Sequence, residues 1–311
     1  MQNLSDISVI KSVLNRHGFT FSKALGQNFL VNPSVCPRMA ENCGIEENTG
    51  VIEIGAGIGV LTKELSAKAK KVVSVELDSR LIPVLSETLS DCLNTEVINA
   101  DIMKVDLHEL IAEKFPGMRV VVCANLPYYI TTPVITLLLE SRLPIESITV
   151  MIQKEVADRL CCGCGSRDAG AVTACVDYYA RAKKLFDVSK GSFLPAPKVD
   201  SCVIRLDLRK EPPVAVEDER KFFRIVKAAF AQRRKTVLNS VSSSLKISKE
   251  TVSAALESAG LAKTVRAEQM SLENFAALCS RLEAVAFADG TINQTAPKRT
   301  KGGASNGNKK Q

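Results

Sequence analysis

The chain contains 311 residues, of which 46% are hydrophobic and 24% are charged, so it has enough apolar material for one large core or two moderate cores. Its longest apolar run is far shorter than the roughly 20 residues that span a bilayer, and residues 1–11 lack the pattern of a secretory signal, so we expect a cytoplasmic protein. The formal net charge of +7 is concentrated towards the C-terminus, and the presence of only two histidines argues against a histidine-based metal site or a serine hydrolase triad.

The first half of the chain alternates short β-branched stretches with segments of helical periodicity. Strands are predicted at residues 51–54, 72–75, 96–99, 120–124 and 148–152, and helices at 59–69, 79–89, 107–115 and 133–140. This alternation is typical of βαβ units. We therefore predict an α/β fold with a Rossmann-like, doubly wound, mostly parallel sheet.

The pattern changes after residue 170. Residues 171–180, 184–188 and 201–208 are predicted to form consecutive strands, because no long helical segments separate them. Strands that follow one another in this way indicate an antiparallel edge on the otherwise parallel sheet.

A short proline-containing stretch, residues 210–213, ends this part of the chain, because proline lacks the N–H that a central strand must donate. Beyond it, helices are predicted at residues 217–231, 234–245, 248–259 and 271–286. We therefore expect an α/β domain with an N-terminal extension at residues 1–209, a small all-helical domain at 210–289, and a basic disordered tail at 290–311. The tail carries a charge of +5, the helical domain +3 and the first domain −1, a distribution compatible with an anionic partner such as nucleic acid.

Ten cysteines are scattered along the chain, most of them in apolar stretches where cysteine packs as a small hydrophobic residue. Cys161, Cys162 and Cys164 form the one cluster. It contains a single C-x-x-C without a second pair at zinc-ribbon spacing, so no metal site is predicted.

A glycine-rich loop follows the first strand of the alternating region, in the string Val51-Ile-Glu-Ile-Gly55-Ala-Gly57-Ile-Gly59. Glycine permits a tight turn and a close approach of the backbone to a ligand. A nicotinamide-binding fingerprint would place a glycine where this chain has Val60. The loop instead resembles the first loop of S-adenosylmethionine-dependent methyltransferases.

Polar residues follow the next three predicted strands. Glu76 ends the second strand, Asp101 follows the third and Asn125 follows the fourth. In doubly wound sheets a carboxylate at the position of Glu76 accepts hydrogen bonds from ribose hydroxyls, and Asp101 resembles the acid that bonds an adenine amino group. Because the carboxyl ends of parallel strands meet at one edge, we expect the three side chains to share a crevice.

The loop after the fourth strand, Asn125-Leu126-Pro127-Tyr128-Tyr129, resembles the N-[LIP]-P-[YF] motif of methyltransferases that act on the exocyclic amino group of a base. The lone pair of an adenine amino group is delocalised into the ring, so this amine is a poor nucleophile until it becomes pyramidal. The Asn125 side-chain oxygen and a backbone carbonyl near Leu126 or Pro127 would accept its two N–H bonds and favour that geometry. Pro127 would fix the loop, and Tyr128 would stack on the extruded base.

Three further strings complete a resemblance to the small-subunit ribosomal RNA adenine dimethyltransferase family over about residues 10–286. They are L-G-Q-N-F-L at 25–30, F-L-P-A-P-K-V-D-S at 193–201 and A-A-F-A-Q-R-R-K-T at 228–236. The string Q-K-E-V-A-x-R at 153–159 is also similar to the family, whereas the cysteine-rich segment 161–170 departs from it.

The resemblance implies a class I S-adenosylmethionine-dependent methyltransferase and the roles of further residues. The cofactor S-adenosylmethionine would be bound by Asn28, Leu30, Gly55, Gly57, Glu76, Asp101 and Asn125. Phe193 would form the second wall of the target-base pocket, opposite Tyr128. Arg233, Arg234 and Lys235, at the start of a predicted helix, would contact RNA phosphates.

The reaction implied by the resemblance is the transfer of four methyl groups from four cofactor molecules to two adjacent adenosines near the 3′ end of small-subunit (16S) rRNA. The family acts on an immature 30S particle, and a monomer is expected. Two alternatives stay open: an erythromycin-resistance type methylase of large-subunit rRNA, and a non-catalytic ribosome-assembly factor. The intact Gly55, Glu76, Asp101 and Asn125 favour an enzyme, and the N-L-P-Y and Q-R-R-K strings favour the small-subunit reaction.

Overall fold

The structure, a computed structural model, describes residues 4–20 and 26–283. These residues form nine strands: β1 (Phe29–Leu30), β2 (Thr49–Ile54), β3 (Lys71–Glu76), β4 (Thr95–Asn99), β5 (Arg119–Asn125), β6 (Ser147–Gln153), β7 (Ala180–Val188), β8 (Phe193–Leu194) and β9 (Ser201–Leu208). They also form twelve α-helices: α1 (Ile7–Arg16), α2 (Val35–Asn42), α3 (Val60–Ser66), α4 (Ile82–Thr88), α5 (Leu107–Lys114), α6 (Thr131–Glu140), α7 (Lys154–Cys161), α8 (Ala171–Tyr179), α9 (Glu219–Phe230), α10 (Val237–Leu245), α11 (Lys249–Ser258) and α12 (Leu272–Leu282).

Seven strands form one sheet in the order β4-β3-β2-β5-β6-β9-β7. The first five strands of this order pair in parallel, while β9 lies antiparallel to β6 and to β7. The predicted doubly wound, mostly parallel sheet with an antiparallel edge is thereby confirmed. From β2 the chain builds outward to β3 and β4, and then returns to place β5 and β6 on the other side. The carboxyl ends of β2 and β5 therefore flank a topological switch point, where α/β sheets bind their ligands.

The central strands are formed by continuous apolar and β-branched runs. Every residue of β2 is buried, and in β5 only the first and last residues are partly exposed. Strands covered by helices on both faces show such runs instead of an alternation of polar and apolar residues. This is why the strand positions in the first half could be predicted closely.

The prediction of a strand at residues 171–180 was wrong, because residues 171–179 form the helix α8. The helix begins after Gly170, whose N–H donates to the Thr173 hydroxyl at 2.9 Å. Six of its nine residues are buried, so it lacks the polar face that reveals a surface helix. A short apolar run of this kind is ambiguous between a strand and a buried helix.

Three helices in the first 161 residues, α1, α2 and α7, had no predicted counterpart. The predicted helix at 79–89 is a 3₁₀ turn, Ser79–Leu81, followed by α4. The two-residue strands β1 and β8 pair antiparallel in a separate small sheet. Strands this short carry no periodic signal in the sequence.

The chain divides into two compact units. The first comprises the described residues up to 215 together with Ala267–Glu273, and the second comprises Val216–Arg266 with the described residues from 274 onward. In the second unit α9 packs against α10, and α10 packs against α11. The Asp218 side chain caps α9 by accepting the N–H groups of Arg220 and Lys221 at 2.8 and 3.1 Å, an arrangement that satisfies two free donors at the helix start.

Two sequence predictions concern the C-terminal tail and the absence of a membrane-spanning helix. The tail predicted at residues 290–311 lies outside the part of the chain that the structure describes. Across residues 4–20 and 26–283, no helix is both long and apolar enough to cross a membrane.

Candidate active site

A cavity of about 290 Å³ opens at the carboxyl edge of the sheet, beside the switch point. Its volume is near the lower end of the range typical of small-molecule sites. All eleven residues that the sequence placed at the cofactor or the target base line this cavity: Asn28, Leu30, Gly55, Gly57, Glu76, Asp101, Asn125, Leu126, Pro127, Tyr128 and Phe193. They all belong to the first unit.

The glycine loop leads from β2 into α3 with left-handed backbone conformations. Gly55 has a φ of 80° and Gly57 a φ of 61°, values that residues with a Cβ rarely adopt. A Cβ added at Gly55 would meet no atom within 4 Å. The backbone there thus borders open cavity, which suits a loop that a ligand approaches closely.

Glu76, at the end of β3, is tied to the glycine loop. One of its carboxylate oxygens accepts the Gly57 N–H at 3.0 Å, and the other accepts the Asp78 N–H at 2.8 Å. Burial raises the pKa of Glu76 above its usual value, although these two backbone donors work against the shift. Because each carboxylate oxygen can accept more than one hydrogen bond, Glu76 can also receive two hydroxyl groups from the cavity.

Asp101 lies one strand further along the same edge, after β4. Its carboxylate accepts the Met103 N–H at 3.0 Å and lies 3.5 Å from the Lys104 ammonium. Between Glu76 and Asp101 the cavity is lined by Leu77 and Met103, which are 47% and 41% exposed. These apolar side chains, which sequence reasoning missed, offer surfaces that the faces of an aromatic base would cover.

The N-terminal segment borders the cavity through the small β1–β8 sheet. In that sheet Leu30 pairs with Phe193, so a residue predicted for the cofactor and one predicted for the target base are brought together. The Asn28 side chain donates to the Gly26 carbonyl at 3.0 Å. The neighbouring Gln27 donates to Asp78 at 2.7 Å, which connects this segment to the loop after β3. The first residue of the L-G-Q-N-F-L string, residue 25, lies outside the described residues.

Asn125 ends β5, and its half-buried side-chain amide makes no hydrogen bond within the described residues. The Leu126 N–H donates to the Met151 carbonyl at 3.2 Å. The Pro127 carbonyl accepts the Ile130 N–H at 3.2 Å and the Thr131 hydroxyl at 3.3 Å.

These contacts distinguish the two backbone carbonyls that the sequence left open. The Pro127 oxygen already has two donors, whereas the Leu126 carbonyl receives no hydrogen bond from the described residues. The Leu126 carbonyl and the Asn125 side-chain oxygen are therefore the pair of acceptors that the cavity offers to an amino group.

Tyr128 is anchored at its far end. Its hydroxyl lies 2.8 Å from the hydroxyl of Ser201, which is fully buried at the start of β9. Burial raises the pKa of Tyr128, so the phenol stays protonated at neutral pH. Ser201 belongs to the 193–201 string, but its contact with Tyr128 is a long-range one that the string does not reveal. Phe193 is only 5% exposed and forms a deep wall of the same cavity.

Glu53, on β2, lies beneath the glycine loop with its carboxylate fully buried. It accepts the Thr62 hydroxyl at 2.7 Å, and burial raises its pKa to about 7. The unfolded chain loses this proton near pH 4.5 and the folded chain near pH 7, so folding takes up a proton between these values. The stability associated with this protonation is therefore fully present at low pH and is lost as the pH rises to about 7.

We expect the Glu53→Gln variant to lose this pH dependence. In the wild type the free energy of unfolding should fall by about 3 kcal/mol between pH 4.5 and 7.5 through this group, and the amide variant should be the more stable protein at pH 7.5. Urea unfolding at both pH values measures the difference, with Glu113→Gln, at an exposed position, as the control. Identical pH profiles for the wild type and Glu53→Gln would contradict the assignment.

The remaining predicted residues are not among those that line the cavity. Arg233, Arg234 and Lys235 are exposed in the connection between α9 and α10, in the second unit. In the cysteine cluster, burial raises the pKa of Cys161 to about 11 and also raises that of Cys164. Within the described residues no group of three histidine, cysteine, aspartate or glutamate side chains is arranged to hold a metal ion.

Comparison with known proteins gives matches along most of the chain. The model of the family described as ribosomal RNA adenine dimethylase matches residues 18–284. Ribosomal RNA small subunit methyltransferase A of Geobacillus thermodenitrificans is 49% identical over 277 residues, which cover 88% of this chain and 94% of that protein. The protein of the same name from Alkaliphilus oremlandii is 44% identical over 283 residues, covering 91% and 99%.

Two solved structures are also similar. A dimethyladenosine transferase from Plasmodium falciparum matches with a TM-score of 0.69 and 25% identity, covering 82% of this chain and 98% of that one. The 23S rRNA methyltransferase ErmE matches with a TM-score of 0.62 and 28% identity, covering 82% and 100%.

Proposed function

Because the chain belongs to the ribosomal RNA adenine dimethylase family, we propose that it transfers methyl groups from S-adenosylmethionine to two adjacent adenosines near the 3′ end of 16S rRNA. Each adenosine receives two methyl groups on its exocyclic nitrogen. The observation that carries this proposal is a pair of acceptors to which no described residue donates, the Asn125 amide oxygen and the Leu126 carbonyl, in residues that line the cavity together with Glu76 and Asp101.

The residues around the cavity fit S-adenosylmethionine. The free acceptor capacity of Glu76 suits the two ribose hydroxyls, Asp101 suits the adenine amino group, and the exposed Leu77 and Met103 suit the faces of the adenine ring. The open space at Gly55 leaves room for the part of the cofactor that passes close to the backbone. Asn28 and Leu30 would complete the site from the N-terminal segment. When bound, the cofactor supplies a methyl group activated by a sulfonium.

The Asn125 loop acts on the target amine. The two N–H groups of the target amine donate to the Asn125 side-chain oxygen and to the Leu126 carbonyl. This arrangement favours the pyramidal geometry of the amine and returns the lone pair to its nitrogen. The base is held between Tyr128 and Phe193 after extrusion from its stack. Fixing the amine in line with the methyl group can lower the activation free energy by about 7 to 11 kcal/mol. With the cofactor bound, the nitrogen lone pair would take the methyl group from the sulfonium, which would depart as a neutral thioether, and the proton of the methylated nitrogen would pass to water.

The comparisons favour the small subunit over the main alternative substrate. Relatives 44% to 49% identical over about nine tenths of this chain are named small-subunit methyltransferases, whereas the ErmE structure, named for 23S rRNA, is 28% identical. Its similar fold makes large-subunit methylation the second candidate. The intact acceptor pair supports an enzyme over a non-catalytic assembly factor.

We also propose the oligomeric state of the protein and the particle on which it acts. Every residue lining the cavity comes from the first unit, and the protein acts as a monomer. The substrate is an immature 30S particle in the cytoplasm, and the helical unit contacts its RNA through Arg233, Arg234 and Lys235.

The substrate is tested by transfer of tritiated methyl groups from S-adenosylmethionine to 30S particles that lack the modification, with 50S particles in parallel. Label in 30S particles alone is the expected result. Label in 50S particles alone would favour the second candidate, and cofactor binding without label in either particle would favour the assembly factor.

The contact between Tyr128 and Ser201 gives a separate prediction. Tyr128→Phe and Ser201→Ala should each lower kcat by roughly 3- to 10-fold, the range expected for one hydrogen bond, with the KM for 30S particles nearly unchanged. The double variant should be no slower than the slower single variant, because both substitutions remove the same contact. Single-turnover rates measure this, and losses that multiply in the double variant would contradict a shared role. Tyr128→Ala, which removes the ring, should be far slower than all three.

A further inference from the structure

The segment from residue 220 to residue 235 is strongly basic. Its sixteen residues contain no acid and seven bases: Arg220, Lys221, Arg224, Lys227, Arg233, Arg234 and Lys235. Its formal charge of +7 equals that of the whole chain. Of these bases, only Arg233, Arg234 and Lys235 belong to the string at 228–236 that resembles the family.

The structure places three of the other bases on one face of α9. Arg220, Arg224 and Lys227 are the only residues of this helix that are exposed, and their spacing of four and three residues sets them in one row. The opposite face is buried and includes Phe222 and Ile225. At a rise of 1.5 Å per residue the row is about 10 Å long. We call Arg220, Arg224 and Lys227 the α9 ridge.

The three cations of the α9 ridge do not stabilise one another. Like charges three and four residues apart on a helix repel each other, and Arg220 lies in the first turn, where the helix dipole disfavours a cation. A helix face that serves only solubility usually mixes both signs of charge. All exposed positions of α9 carry the same sign, which calls for a polyanionic partner.

We infer that the α9 ridge contacts the phosphate backbone of the RNA substrate, together with the exposed Arg233, Arg234 and Lys235 that follow the helix. This inference rests on the proposed function, because it takes ribosomal RNA as the partner. Contacts of this kind fix the position of the protein on the RNA and are independent of base sequence. They also make binding depend on salt, because each neutralised phosphate releases counterions.

The test compares the variant Arg220→Gln/Arg224→Gln/Lys227→Gln with the wild type and with Lys249→Gln. Lys249 is an exposed cation at the start of α11, a helix that packs against α10, so it controls for the loss of positive charge elsewhere in the same unit. Dissociation constants for 30S particles and for protein-free 16S rRNA are measured over a series of KCl concentrations. The dissociation constant for S-adenosylmethionine and the melting temperature report on folding.

We expect the ridge variant to bind both RNA targets at least about 10-fold more weakly at low salt. The slope of log K against log salt should become shallower by about two to three, close to one for each lost phosphate contact. Lys249→Gln should change the slope by at most about one. In both variants cofactor binding should stay at the wild-type value, and the melting temperature should stay within a few degrees of it.

Two results would overturn the inference. The first is a salt slope for the ridge variant equal to that of the wild type. The second is weaker binding to 30S particles with unchanged binding to protein-free rRNA, which would mean that the ridge meets a ribosomal protein. Failure of the proposed function is distinguishable, because then the wild type itself would transfer no methyl groups to 30S particles.

Discussion

The Asn125→Ala variant is expected to lose methyl transfer while it keeps its cofactor. The side-chain oxygen of Asn125 is one of the two acceptors for the target amine, and its amide makes no other hydrogen bond within the described residues. Removal of one such preorganised group typically slows catalysis by about 100- to 1,000-fold. Single-turnover transfer to 30S particles measures the rate, and calorimetric titration with S-adenosylmethionine should give an affinity within a few-fold of the wild type.

Two further variants make this result specific. Asn125→Asp keeps an acceptor oxygen at the same place and should retain more activity than the alanine variant. Asn42→Ala removes an exposed amide at the end of α2 that does not line the cavity, and should leave the rate unchanged. If Asn125→Ala lost cofactor affinity and transfer to the same extent, Asn125 would be a structural residue and the assignment would be wrong.

The Glu76→Ala variant is expected to show the largest loss of cofactor affinity. Its carboxylate would accept both ribose hydroxyls, and hydrogen bonds to a charged group contribute about 1.5 to 3 kcal/mol each. The loss of both should weaken binding of S-adenosylmethionine by at least about 100-fold. The variant also leaves the N–H groups of Gly57 and Asp78 without their acceptor, which loosens the glycine loop. Calorimetry or equilibrium dialysis measures the affinity.

Glu76→Gln separates binding from folding. The amide keeps one acceptor and nearly the same volume, so this variant should fold like the wild type and bind the cofactor with intermediate affinity. Near-ultraviolet circular dichroism verifies the fold. An affinity for S-adenosylmethionine equal to that of the wild type in both variants would refute the ribose assignment.

The sequence predicted that Glu76, Asp101 and Asn125 meet at one cavity because of the topology of the parallel sheet. Glu76, Asp101 and Asn125 are far apart in the chain, but each stands at the carboxyl end of a parallel strand, and those ends share one edge. Once the strands are recognised from their buried β-branched runs, the convergence of these side chains follows. The presence of Gly55, Gly57, Glu76, Asp101 and the 125–128 loop around one cavity has this origin. Asn28, Leu30 and Phe193 were instead expected there from strings that resemble the family.

Other features could not be predicted because no local pattern encodes them. The helix α8 is buried on most sides, so its residues 171–179 show no helical alternation of polar and apolar side chains. The pairing of Leu30 with Phe193 involves strands of two residues. The contact of Tyr128 with Ser201 joins residues 73 positions apart. The choice of the Leu126 carbonyl over that of Pro127 depends on which backbone donors the turn after Pro127 provides, and these appear only in the folded chain.

We propose that the acceptor pair of Asn125 and Leu126 directs four methyl groups to two adjacent adenosines of 16S rRNA. The most direct test is mass spectrometry of 16S rRNA fragments after unmodified 30S particles react to completion with the protein and S-adenosylmethionine. We expect two neighbouring N6,N6-dimethyladenosines near the 3′ end in each particle, and none with Asn125→Ala. Methyl groups on another type of base, on isolated adenosines, or in equal amount with Asn125→Ala would contradict it.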